Sequence, residues 1–338
     1  MDENRFFTEM LAEEAPEETA RKAKKRYCRM GFALLLIMAC WLAMQTLLFY
    51  LAERFDLDVR GNWLFWALDE FPLYLIAIPA GLLLMRKAPR DGVEESGLGL
   101  KRFLTALLVC FPIMYGGNII GTLLSSHLSN GSAENPLLDL TLNNNWLGVV
   151  VMVVLAPLFE EFVFRRQLID RTRRFGEKQA IVFSAICFGL FHMNLFQFFY
   201  AFGLGLVFGY VYTRTGRLRY SVVMHMIVNF NGAVLAPMIV KRSGFLEISP
   251  DNLTALNDEA AAMEQLSKLM PLVVYGLCLL GLSIAGLVLL IVKAKKLVFL
   301  PAEEEMPRSR SFSIVYLNAG VVLFVLACLA AGAAALIL

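Results

Sequence analysis

The feature that most constrains this chain is a repeated one: apolar runs of roughly 20 residues, such as "WLGVVVMVVLAPLFEEFVF" at 146–164, each long enough to cross about 30 Å of hydrocarbon. A single-chain segment in lipid must satisfy its own backbone hydrogen bonds, so these runs read as helices. Nine qualify: 31–52, 64–85, 103–126, 146–164, 179–194, 196–213, 220–240, 271–292 and 312–337. The fold class that follows is all-α, a polytopic membrane protein. An apolar fraction of 58% and a mean hydropathy of +0.62 exclude an ordinary soluble domain. The second run is the weakest, because "ALDEFPLY" places Asp69, Glu70 and Pro72 inside it. It reads as beginning at the interface with Trp63 and Trp66, which leaves Asp69 and Glu70 in a structural role away from any site.

Lysine and arginine set the expected orientation. With the N-terminus in the cytoplasm, segments 1–30, 86–102, 165–178, 214–219 and 293–311 lie inside and hold 26 of the 31 basic residues. Only Arg54, Arg60, Lys241, Arg242 and Lys268 fall outside. The net charge of +2 is therefore a topology signal that also suits the lipid bilayer, and it gives no ground for a nucleic-acid partner. The organisation that follows is a basic, amphipathic cytoplasmic segment (1–30), three spans (31–144), a four-span core (145–240), an outer loop (241–270) with a helix beginning near Pro250–Asp251, and a terminal pair of spans (271–338). Six cysteines form no Cys-x-x-Cys pair, which argues against a disulfide framework or thiolate zinc site. Gly205 and Gly209, four apart in "AFGLGLVFGY", fit close helix packing better than a cofactor loop.

Ionisable groups at membrane depth cost roughly 2.5–3.5 kcal/mol each on insertion scales and are functional candidates by default. Two of the three histidines, His192 and His225, lie inside apolar runs, while His127 belongs to an outer loop. Glu160 lies 16 residues before Gly176 and His192 lies 16 after it. At about 1.5 Å per residue the two are level, each ~24 Å from the tip of a helical hairpin. His225 follows the "RTGRLR" turn by nine residues, ~13 Å, and reaches a similar depth. Asn229 shares its helix face, Phe188 shares that of His192, and Arg165 shares that of Glu161, all at four-residue spacing. These groups suit amide hydrolysis without a serine or cysteine nucleophile: Glu160 as general base towards water, His192 to position it, and His225 with Asn229 as donors to a developing oxyanion. Glu161 pairs with Arg165 and leaves Glu160 free.

With "EEFVFR", "FGLFH" and "HMIVN" in this order, the chain resembles the CAAX prenyl endopeptidase family of intramembrane proteases, also called CPBP or Abi. Its pattern of Glu-Glu-x-x-x-Arg, Phe-x-x-x-His and His-x-x-x-Asn/Asp falls on Glu160, Glu161 and Arg165, on Phe188 and His192, and on His225 and Asn229. The resemblance covers residues 145–240. It implies a helical core that cleaves a peptide bond in a membrane-anchored, CAAX-type or lipidated peptide or protein, with the site towards the cytoplasmic leaflet. It also implies that the first glutamate and first histidine activate water and that the last His/Asn pair forms the oxyanion hole. Members are often labelled metalloproteases, and Glu160 or Glu161, His192 and His225 would suffice for three zinc ligands with water as the fourth. The chain has no HExxH helix, so the metal is left undetermined. A second reading is a non-catalytic scaffold of the same family, such as a bacteriocin-immunity or regulatory partner. A proton-coupled transporter would call for inverted repeats, which the sequence lacks.

Overall fold

The computed structural model describes residues 3–59, 63–142, 145–247 and 259–337. Among them the regular structure is helical throughout. Nine main helices follow in chain order: α1 (Glu3–Arg54), α2 (Trp63–Met85), α3 (Leu100–Leu128), α4 (Trp146–Phe175), α5 (Glu177–Phe191), α6 (Leu195–Thr215), α7 (Leu218–Arg242), α8 (Glu259–Ala294) and α9 (Ala319–Ile337). All but α5 are long and apolar enough to cross a membrane. The run expected at 179–194 is the exception, since α5 has 15 residues and spans only about 22 Å.

α1 runs unbroken from Glu3 into the first span, so residues 3–30 and that span form one helix. Asp69 and Glu70 lie within α2, and Trp66 is buried. The last run is interrupted at Leu317–Asn318, between a short helix (Ser311–Tyr316) and α9. His127 belongs to the final turn of α3. The helix start expected near Pro250–Asp251 lies outside the described residues.

Two glycines make the hairpin tips. Gly176 ends α4 with φ 148°, and Gly216 ends α6 with φ 62°, both disfavoured for residues with a β-carbon. Near the first tip, the arginines expected as topology signals are held by neighbouring loops. Arg171 donates to the Met85 carbonyl (3.0 Å), and Arg173 to those of Asp91 and Gly92. Arg174 pairs with Asp91, Glu303 and Glu304, and Arg90 with Asp170. Further along, Tyr74 of α2 stacks on Phe159 of α4 at 4.3 Å and 10°. The two contacts are 11 residues apart in α2 and 12 in α4, so these helices run parallel and in register.

Three helices widen into a π-turn just before an X-Pro pair: Leu73–Ala77 before Ile78-Pro79, Val151–Leu155 before Ala156-Pro157, and Asn231–Leu235 before Ala236-Pro237. Proline has no N–H, and its ring crowds the carbonyl four residues back. In each case the residue before proline donates five residues back: Ile78 to Leu73, Ala156 to Val151 and Ala236 to Asn231. Met152 therefore loses both possible helical donors. Ala156 is committed to Val151, and Pro157 has nothing to give. A fourth π stretch, Phe162–Ile169, follows the paired glutamates.

Small residues set the closest packing. Gly205 and Gly209 of α6 lie against Ala185 and Ile181 of α5, as their spacing predicts. The N- and C-terminal helices meet at Gly31 and Gly320, where a β-carbon on Gly320 would overlap the Cys28 carbonyl. Gly320→Leu is expected to lower stability by about 1–3 kcal/mol through overpacking. Gly276→Leu, where a β-carbon meets nothing within 4 Å, is expected to be neutral. Thermal unfolding of both variants in detergent checks this contrast.

Candidate active site

The site is built from a buried ion pair outward. Arg165 follows Glu161 by four residues and donates to it through Nε (3.0 Å) and Nη2 (3.2 Å). Neither side chain is exposed. The remaining guanidinium arm donates to Ser184 Oγ (3.0 Å), whose hydroxyl donates to the Phe164 carbonyl (2.6 Å). The guanidinium carbon stands 4.7 Å from the centroid of the Phe188 ring. A buried pair is tolerable only when its remaining donors and acceptors are met, and here they are.

Phe188 is the hub. His192 meets its ring edge-on at 4.9 Å between centroids, and His225 does so at 5.7 Å. His192 ends α5 rather than lying inside a span, and Met193 after it takes a left-handed φ of 49° before Asn194 caps α6. His192 Nδ1 lies 2.8 Å from the Phe188 carbonyl. A carbonyl only accepts, so Nδ1 carries the proton and Nε2 of the neutral ring is an acceptor. His225 is bracketed by both glutamates, with Nδ1 3.2 Å from Glu161 and Nε2 3.5 Å from Glu160. Since Glu161 is ionised against Arg165, Nδ1–H of His225 points to it, and Nε2 faces the second carboxyl.

Asn229, one turn past His225, donates to the Met152 carbonyl at 2.8 Å, the carbonyl freed by the π-turn before Pro157. One amide hydrogen is thereby fixed, and the other is left for a further acceptor. Glu160 differs from its neighbour in keeping a quarter of its side chain accessible. Glu160, Glu161, Arg165, Phe188, His192, His225 and Asn229 thus come from three stretches of chain into one cluster. Among the described residues, no three His, Cys, Asp or Glu side chains converge as a metal-binding group.

Glu70, placed by sequence away from any site, lies one helical turn before Tyr74, whose ring stacks on Phe159, the residue before Glu160. The register of α2 with α4 thus brings the helix face of Glu70 towards the segment that bears Glu160. Asp69 turns the other way, to Gln45 and with its carbonyl to Trp41 Nε1 (2.8 Å), both on α1.

Residues 142–231 match the family described as type II CAAX prenyl endopeptidase, Rce1-like. The chain is also 25% identical over 174 residues to the "Putative membrane peptidase YdiL" of Bacillus subtilis, covering 48% of this chain and 68% of that protein. No solved structure matches significantly. Over residues 142–231 the chain is therefore similar to the CAAX endopeptidase family. The matched segment contains every clustered motif residue named above and excludes α1–α3, α8 and α9.

Sequence reasoning missed three contributors to this site. Ser184 lies four residues before Phe188 and eight before His192, so its face was readable from spacing alone. Met152 supplies an acceptor only because of Pro157, a signal visible in the sequence. Glu70 is an ionisable residue in an apolar run, and the rule that picked out Glu160 applies to it equally.

Removing one partner of the buried pair strands the other. Arg165→Met is expected to cost about 3–5 kcal/mol, much of which the double change Glu161→Leu with Arg165→Met recovers. Detergent-phase denaturation of wild type, single and double variants measures both.

Proposed function

We propose that this chain is an intramembrane endopeptidase that hydrolyses a peptide bond of a membrane-anchored peptide or protein through a glutamate-activated water. The observation that carries this reading is the division of labour between adjacent glutamates. Glu161 is sealed against Arg165, whereas Glu160 is accessible and has no Arg or Lys partner among the described residues. Glu160 takes a proton from water. His192 Nε2, an acceptor because Nδ1 serves the Phe188 carbonyl, holds the water's other hydrogen. As water adds to the carbonyl, the charge developing on oxygen is met by the free amide hydrogen of Asn229 and by His225 Nε2 when protonated.

The family match supports a lipid-anchored or otherwise membrane-held substrate. The clustering of basic residues at one set of turns supports a cytoplasmic N-terminus and substrate entry from the cytoplasmic leaflet. Purified protein is expected to cut a membrane-anchored peptide, with cutting abolished in Glu160→Gln and in His192→Ala. Asn229→Ala, which removes one oxyanion donor, is expected to slow turnover by about 10²–10³-fold. Cleavage at the wild-type rate by either of the first two variants rejects the assigned chemistry.

A further inference from the structure

Hydrolysis of an amide needs an acid as well as a base, because the departing nitrogen leaves as an amine only if a proton reaches it. Three observations single out one side chain for this task. Glu70 is half-buried on α2, and the Tyr74–Phe159 stack at 4.3 Å brings its helix face against the segment bearing Glu160. Asp69, its neighbour, is held by Gln45 on α1, whereas Glu70 shares the helix face of Tyr74 at four-residue spacing. Tyr74, four residues on and so on the helix face of Glu70, is 94% buried and carries a hydroxyl with no hydrogen-bond partner.

Charge balance then fixes the proton. Arg165 neutralises Glu161, leaving Glu160, Glu70 and His225. Neither Glu160 nor Glu70 has a lysine or arginine partner among the described residues, and His225 touches Glu160 alone of the two. A low-dielectric site does not keep an unpaired charge, so the arrangement is neutral when His225 faces Glu160 and Glu70 carries its own proton.

We propose that Glu70 is a second catalytic carboxyl, the general acid that protonates the departing amine nitrogen while Glu160 acts as base. The proposal rests on the hydrolase reading above. Water gives one proton to Glu160 as its oxygen bonds the carbonyl carbon and the carbonyl electron pair moves onto oxygen. When that pair returns, the C–N bond breaks and nitrogen takes the Glu70 proton. The proton on Glu160 then passes to the Glu70 carboxylate by way of the Tyr74 hydroxyl, restoring both groups.

Two measurements on the full chain in lipid nanodiscs test this. Dicyclohexylcarbodiimide, an apolar reagent that attacks protonated carboxyls, is expected to label Glu70 in wild type and in Glu160→Gln, with the adduct located by mass spectrometry. Labelling at Glu160 with none at Glu70 overturns the assignment, whether or not a cleaved peptide has been found. The second measurement compares a membrane-anchored peptide with its ester analogue at the scissile bond, since an alkoxide leaves with less help from an acid than an amide nitrogen. Glu70→Gln is expected to lose amide cleavage by about 10²–10⁴-fold and to retain most ester cleavage, while Glu160→Gln loses both. Glu70→Asp is expected to recover part of the amide rate. Equal loss of amide and ester turnover in Glu70→Gln overturns the acid role. Failure of wild type on both substrates overturns the hydrolase reading itself.

Discussion

A charge buried among helices must bring its counter-charge with it, and the pair Glu161–Arg165 meets that demand at the centre of this protein. Its consequences spread outward. The guanidinium lies over Phe188 and ties α4 to α5 through Ser184. The carboxylate fixes His225 on α7. Because Glu161 is consumed in this way, Glu160 is the glutamate left with accessible surface. Two adjacent residues of one type acquire opposite roles through the partner one of them finds.

The second organising device is the wide turn before proline. It sits on α2, α4 and α7, the three helices carrying Glu70, Glu160 and His225. On α4 it releases the Met152 carbonyl that orients Asn229. On α2 it contains Tyr74, and on α7 it contains Asn231, which bonds Tyr115 of α3 and Tyr275 of α8. Proline alone does not dictate the turn, since Pro112 lies in α3 without one. Irregular helix geometry in a membrane is stable where it lines the protein interior, and here the wide turns meet other helices through Tyr74 on α2, the Met152 carbonyl on α4 and Asn231 on α7.

Much of this was legible in the sequence. Apolar length is additive along the chain, so the order of the helices and eight of the nine expected spans could be read directly. Four-residue spacing on a regular helix fixes a shared face, which is how Arg165, Phe188 and Asn229 joined their partners. What failed depends on tertiary register. Nothing local in "ALDEFPLY" says that Tyr74 will lie flat on Phe159, so Glu70 was assigned to an interface. Nor does an apolar run say where a helix stops. His192 sits at the end of α5 because Met193 adopts a left-handed conformation, and the span is shorter than its hydropathy suggests.

The account makes water, activated at Glu160 and held by His192, the nucleophile towards a substrate embedded in the same membrane. Comparing the C-termini of membrane peptides from cells carrying wild type and Glu160→Gln at equal abundance tests this most directly. New C-termini that appear only with wild type, and that take up one heavy oxygen when cells are grown in ¹⁸O-water, are the predicted result. Identical peptide profiles in the two strains would contradict it.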